Sequence, residues 1–138
     1  MTCTFFGHKD CPCTTTINLL SVLTDLIENK NVNMFYIGNQ GDFDSIARTV
    51  LQKMKIIYPQ INYVIVLAYL RNKSEISDFD TVFPEGLENV PLRYAIDRRN
   101  LWMINHSDYV ITYVRNTAGG AYKFKTIAEK KGKIVINI

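Results

Sequence analysis

The sequence predicts an α/β fold: a three-layer, Rossmann-like open sheet, mostly parallel, of about five strands with helices on both faces. Three observations predict it. Segments with alternating apolar residues take turns with segments whose apolar residues recur every three or four positions. The connections between them are short, which makes each strand–helix–strand stretch a βαβ unit with parallel strands. Residues 61–70 (INYVIVLAYL) are a continuous apolar, β-branched run, the pattern of a parallel strand covered on both faces.

The elements follow in order. Residues 2–7 (TCTFFG) read as a strand ending in glycine. Residues 14–30 read as a helix, with Ile17, Leu20, Leu23 and Ile27 as its apolar stripe and Thr14, Thr15 and Thr16 as candidate caps. Residues 33–38 (NMFYIG) are a second strand. Residues 43–58 are a helix with Ile46, Val50, Met54 and Ile57 on one face; Asp42 is placed to cap it, and Pro59 stops it. After the apolar strand at 61–70, the polar residues 71–80 read as a loop and 81–83 as a short strand. Residues 92–106 form a helix, 108–114 a strand, 121–131 a helix ended by Gly132, and 133–138 the closing strand.

At 138 residues the chain fits one domain, residues 1–138, against a usual ~150 residues per domain. A (β/α)8 barrel needs at least ~200 residues and is excluded. The hydrophobic fraction of 47% and charged fraction of 21% exclude a disordered or fibrous chain. The longest nearly uniform apolar run, residues 63–70, is far short of the ~20 residues of a membrane-spanning helix, so no membrane partner is expected. The N-terminal stretch has no basic start followed by an apolar core, and a cytoplasmic location is the expectation. A net charge of +3 is weak for a nucleic-acid binder, a partner class that stays open but disfavoured. Cys3, Cys11 and Cys13 are odd in number and crowded at one end, which suits reduced thiols better than a disulfide framework. His8, Cys11 and Cys13 match no structural zinc spacing, so no metal site is expected, and Cys11 and Cys13 are read as shaping the turn around Pro12.

Open α/β sheets bind ligands beyond the carboxyl ends of their strands, so the loops there carry the functional reading. Gly119 and Gly120 sit between a strand and a helix. Glycine lets a phosphate approach the backbone, and the helix N-terminus offers free N–H groups. Lys123 and Lys125 in the first turns oppose the helix dipole, by about 0.3–1 kcal/mol each, a conflict a bound anion would relieve. The alternative is a solvated loop with two surface lysines. Gly38 and Gly41 form a second glycine turn opening a helix, and Asp42 or Asp44 could accept from ribose hydroxyls or simply cap. Arg99 lies on the stripe of Leu92, Ile96 and Met103. A charge on a core-facing stripe is costly unless paired, so either it reaches a ligand phosphate or it forms a salt bridge with Glu85 or Asp97.

Six segments carry a resemblance: Phe5-Phe6-Gly7-His8, Gly38-Asn39-Gln40-Gly41-Asp42-Phe43-Asp44, Pro84-Glu85-Gly86, Arg98-Arg99-Asn100-Leu101-Trp102-Met103, Ser107-Asp108-Tyr109-Val110-Ile111 and Gly119-Gly120-Ala121. Together they span nearly the whole chain. They resemble the bacterial YpsA-like, or SLOG, family, in the superfamily that holds DprA, a single-stranded-DNA binder, and the LOG phosphoribohydrolases. The resemblance implies a Rossmann-like fold, a nucleotide-derived ligand and a homo-oligomer. LOG proteins carry R-K-x-x-M on a helix, and P-G-G-x-G-T-x-x-E after a strand. Laid on this chain, the arginine and methionine fall on Arg99 and Met103 and the paired glycines on Gly119 and Gly120. The proline falls on Ala118, the third glycine on Tyr122, the threonine on Lys123 and the catalytic glutamate on Thr126, which cannot act as a carboxylate.

The leading expectation is therefore a module that binds a nucleotide or nucleotide-derived ligand and requires no cofactor. Gly119, Gly120, Ala121 and Arg99 take the phosphate. Gly7, His8, Gly38, Asn39, Gly41 and Asp42 line the sugar or base side, and Tyr113 stacks near the base. The alternatives are a nucleotide N-glycosidase with a non-standard carboxylate, Glu85 being the candidate, and DprA-like binding of single-stranded DNA. Whether any bond is broken stays open.

Overall fold

Alternation along the first strand buries both of its sides: Cys3 and Phe5 join one apolar cluster and Phe6 the other. The computed structural model describes residues 1–70 and 79–138. In it β1 (Thr2–Gly7), β2 (Met34–Ile37), β3 (Asn62–Val66), β4 (Thr81–Val82), β5 (Tyr109–Tyr113) and β6 (Ile134–Asn137) form one sheet in the order β4-β3-β2-β1-β5-β6. Every neighbouring pair is parallel. The expected mostly parallel sheet is thus wholly parallel among the described residues, and the short strand at 81–82 brings it to six.

The helices are α1 (Thr15–Asn29), α2 (Gly41–Ile57), α3 (Ala95–Asn105) and α4 (Gly120–Lys130). Leu19, Leu23 and Leu26 of α1 and Phe43, Val50 and Met54 of α2 pack with Phe5, Phe35 and Ile111 on one face. Met103 and Ile104 of α3 and Phe124 and Ala128 of α4 pack with Phe6, Val66 and Val110 on the other. That is the three-layer arrangement, with the parallel sheet shielded on both sides.

Several boundaries and faces differ from expectation. Helix α1 buries Leu19, Leu23, Leu26 and Ile27, while Ile17 is 74% exposed. Seven of the 15 residues of this helix are apolar and they are spread around it, so the sequence allows two stripes and the sheet selects one. Thr14 stands at its N-cap but makes no side-chain cap bond. Helix α2 begins two residues early, at Gly41, so Gln40 and not Asp42 is its cap residue, and Ile57 is exposed. Strand β3 ends at Val66; β4 is only two residues long, and the last ladder bond is from the Leu67 N–H to the Val82 carbonyl. Leu92 leaves the expected stripe of α3: Leu92–Tyr94 is a separate 3-10 turn after Pro91, out of phase with the helix, and Leu92 is exposed. Residues 71–78 of the expected polar loop lie outside the described residues. No described helix is long and apolar enough to cross a membrane.

Gly7 holds α2 close to β1. A Cβ there would sit 2.3 Å from ring carbons of Phe43, whose side chain is fully buried. Gly7→Ala is expected to destabilise the fold by about 1–3 kcal/mol through overpacking. Urea unfolding reads this as a lower midpoint at constant slope. A variant as stable as the parent would mean that α2 can lift from β1 without cost.

Candidate ligand-binding cleft

Connections leave β1 toward β2 on one side, while β5 joins it on the other. The carboxyl ends of β1, β2 and β5 therefore splay around a crevice where strand order reverses. A cleft of about 450 Å³ opens there. Gly7 and His8 enter it from the end of β1, Gln40, Gly41 and Asp44 from the start of α2, and Gly119, Gly120 and Ala121 from the start of α4. Arg99 and Asn100 of α3 reach it from below, and Phe6, Met103 and Phe124 supply an apolar wall.

Arg99 is only 2% exposed. Its Nε donates to Asn100 Oδ1 at 2.7 Å, and its Nη1 donates to the Val66 carbonyl at 2.9 Å, at the end of β3. Among the described residues Nη2 has no hydrogen-bond partner. Neither Glu85 nor Asp97 pairs with it: Asp97 binds Lys123 at 2.8 Å. Burial pulls the guanidinium pKa down, and the neighbouring Asp44 carboxylate and Tyr69 oppose that shift.

Asp44 is the carboxylate of the cleft. It is half-buried, and its Oδ2 accepts the Gln40 N–H at 2.9 Å, capping the free backbone of α2. Burial pushes its carboxyl up from 3.8 to about 6, against the lowering pull of Arg99, the Gln40 N–H and Arg48. Gly38 lies between the two charges. A Cβ there would stand 2.7 Å from Asp44 Oδ2 and 3.2 Å from the Arg99 Cζ and Nη1. Gly38 thus serves the cleft by letting carboxylate and guanidinium approach, without lining it.

The two glycine turns differ in kind. Gly41 has φ +85°, and a Cβ would meet the Lys9 backbone at 2.9 Å, so the protein's own packing requires glycine. Gly119 has φ +89°, in the left-handed region, but open space around it. Gly120 also faces open space, and no side chain caps α4. The first N–H groups of α4 are therefore accessible from the cleft. The loop before them is held by His8, whose Nε2 accepts the Arg115 N–H at 2.7 Å, which leaves the ring proton on Nδ1.

Of the expected site residues, Gly7, His8, Gly41, Arg99, Gly119, Gly120 and Ala121 meet at this cleft. Asn39 turns aside and accepts from Arg48 Nη1 at 3.3 Å. Asp42 is exposed and accepts the Cys11 N–H at 3.4 Å, tying the first loop to α2. Tyr113 is stacked on Phe43 and lies under the Arg115 guanidinium, 4.2 Å from its ring centre, so it is not a cleft residue. Glu85 lines a different hollow, with Arg98 and Trp102. The lysine argument also changes: Lys123 pairs with Asp97, and Lys125 with Glu129 at 2.9 Å. The sequence reading passed over Lys9, Gln40 and Asn100 as cleft residues. Only their positions, in the glycine turns or beside Arg99, signalled them. Among the described residues no group of three His, Cys, Asp or Glu side chains is arranged to hold a metal ion.

Fold and cleft together define an open, all-parallel, Rossmann-like α/β domain with a crevice at its switch point. No protein-family model and no curated protein sequence matches the chain. Among solved structures it is similar to the X-ray structure of DNA processing protein A (DprA) from Streptococcus pneumoniae, at 16% identity and a TM-score of 0.71. The match covers 97% of this chain and 48% of that one, so this chain spans about half its length. At that identity the likeness establishes a DprA-like fold.

The folded-state pKa of Asp44 lies above its ordinary value, so the folded protein holds a proton that the unfolded chain releases. Stability is then lost as pH rises from about 4 to about 6, and the full cost remains above that window. Asp44→Asn is expected to be more stable than the parent at pH 8, on the order of 1–3 kcal/mol, and to lose that advantage below pH ~4. Thermal melts of both proteins across pH read this, and equal profiles would mean that Asp44 is as well solvated as a surface carboxylate.

Proposed function

We propose that this domain binds a nucleotide-derived phosphate ester in the cleft at the carboxyl ends of β1, β2 and β5. The observation that carries this reading is Arg99: a guanidinium 2% exposed, lining the cleft, with Nη2 left without a partner among the described residues. A buried cation with an open donor calls for an oxygen-rich, anionic ligand. The uncapped N-terminus of α4 behind Gly119 and Gly120 offers backbone N–H groups and partial positive charge to the phosphate of that ligand. Gly120 supports this further, since nothing in the protein's own packing requires glycine there. The apolar wall of Phe6, Met103 and Phe124 suits a ligand larger than phosphate. The resemblance of GNQGDFD and RRNLWM to the YpsA-like proteins points to the same ligand class.

A second reading is favoured by the fold match to a DNA-processing protein: binding of single-stranded DNA. It needs a basic groove with aromatics and a steep loss of affinity with salt. Two lysines near the cleft are already engaged with carboxylates, which weakens it.

Thermal melts with AMP, ADP-ribose and NAD test the proposal. A ligand at ~100 times its Kd adds about 2.7 kcal/mol, a rise of several degrees for a domain of this size. Arg99→Gln is expected to abolish the shift. Gly120→Asp provides an independent check, because its side chain enters open space and its charge favours the helix dipole. That variant should fold as well as the parent and lose the ligand shift through repulsion of the phosphate. No shift with any nucleotide, alongside salt-sensitive oligonucleotide binding, would replace this reading with the second.

A further inference from the structure

Asp44 and Arg99 present complementary valences to one cleft. Asp44 uses Oδ2 for the Gln40 N–H, and no described group donates to its Oδ1. Arg99 uses Nε and Nη1 inside the protein and keeps Nη2. The two are close enough to flank the Cβ position of Gly38, yet they do not form an ion pair within 4.0 Å. A group lodged between them must accept from the guanidinium and donate to the carboxylate. A phosphate dianion cannot donate, and an ammonium cannot accept. A hydroxyl does both.

Position adds a second constraint. Asp44 comes from the β2 side of the cleft and Gly119 and Gly120 from the β5 side, with β1 between them. Two strand spacings separate these sides by about 10 Å. A lone phosphate cannot reach across that gap. A sugar phosphate can, with its phosphate at α4 and its ring hydroxyls toward β2.

We infer that Asp44 and Arg99 together read a sugar hydroxyl, so that the cleft selects a ribonucleotide over its deoxy counterpart. This rests on the phosphate-binding reading above and assigns the opposite end of the same ligand. The carboxyl of Asp44, pushed up to about 6, is ionised and acceptor-only at pH 8, the state that takes a hydroxyl proton. Gly38 is part of the device, because any side chain there would wedge the two groups apart.

The test compares AMP, 2′-deoxy-AMP and 3′-deoxy-AMP by calorimetric titration at pH 8, against the parent, Asp44→Asn and Gly120→Asp. A site that hydrogen-bonds a hydroxyl through buried polar groups rejects the analogue lacking it strongly. At least one deoxy form is expected to bind the parent tenfold or more weakly than AMP. Asp44→Asn should bind AMP more weakly and the two deoxy forms no more weakly than the parent does, which removes the discrimination. Gly120→Asp should lose all three ligands alike. Equal binding of the three by the parent, with Gly120→Asp still blocking them, overturns the hydroxyl reading and leaves the phosphate site standing. Discrimination that persists in Asp44→Asn overturns the assignment to Asp44. Binding of none of the three by the parent overturns both readings.

Discussion

A guanidinium in the interior sets the terms for one end of this domain. Arg99 sits where an apolar side chain would otherwise fill the face of α3 against the sheet, and a charge so placed must find partners. It finds one in the Val66 carbonyl, which pins α3 to the end of β3, and another in its own neighbour Asn100. The field of Asp44 supplies the counter-charge from α2. Three elements far apart in sequence thus converge on one cation. The convergence is possible only because Gly38 has no side chain. The same cation, satisfied on two sides and open on the third, gives the cleft its character.

The charges of the cleft form a sequence across the sheet. On the β2 side, Asp44 caps the backbone of α2 and stands as a half-buried carboxylate. Beside it, at the ends of β2 and β3, is Arg99. On the β5 side, the uncapped start of α4 adds the partial positive charge of a helix N-terminus. The surface lysines that looked available in the sequence are tied to Asp97 and Glu129. Attraction for an anion in this cleft therefore falls to Lys9 at its edge, to the buried Arg99 and to backbone. Buried donors act in a lower dielectric, and salt screens them far less than exposed lysines.

The glycines show how one residue type serves unlike ends. Gly7 is glycine because Phe43 occupies the space where a Cβ would be. Gly41 is glycine because its backbone is left-handed and the Lys9 main chain lies against it. Gly120 answers to neither demand: nothing in the protein's own packing distinguishes it from alanine. In sequence all three look alike, as glycines at strand–helix junctions. Their separation required the neighbours that the fold brings to each.

The alternation of periods by itself determined a parallel α/β sheet covered on both faces, because buried parallel strands must be apolar throughout and their crossovers amphipathic. It also determined that Arg99 faces inward, since one helical stripe admits only that phase. Other choices turned on about 100° of helix rotation per residue, and there sequence could not decide. Ile17 and Leu19 are both apolar, and only packing against Phe5 and Phe35 selected Leu19. Asp42 and Asp44 are both carboxylates in one helical turn, about 200° apart, and the tertiary fold turned Asp44 into the cleft and Asp42 toward the Cys11 backbone. Glu85 and Tyr113 were plausible by chemistry, yet the chain carries Glu85 to another hollow and closes Tyr113 between Phe43 and Arg115. A binding cleft is made from loop ends that sequence separates by tens of residues. Periodicity reaches only along a single element, so the convergence of those ends belongs to the tertiary structure alone.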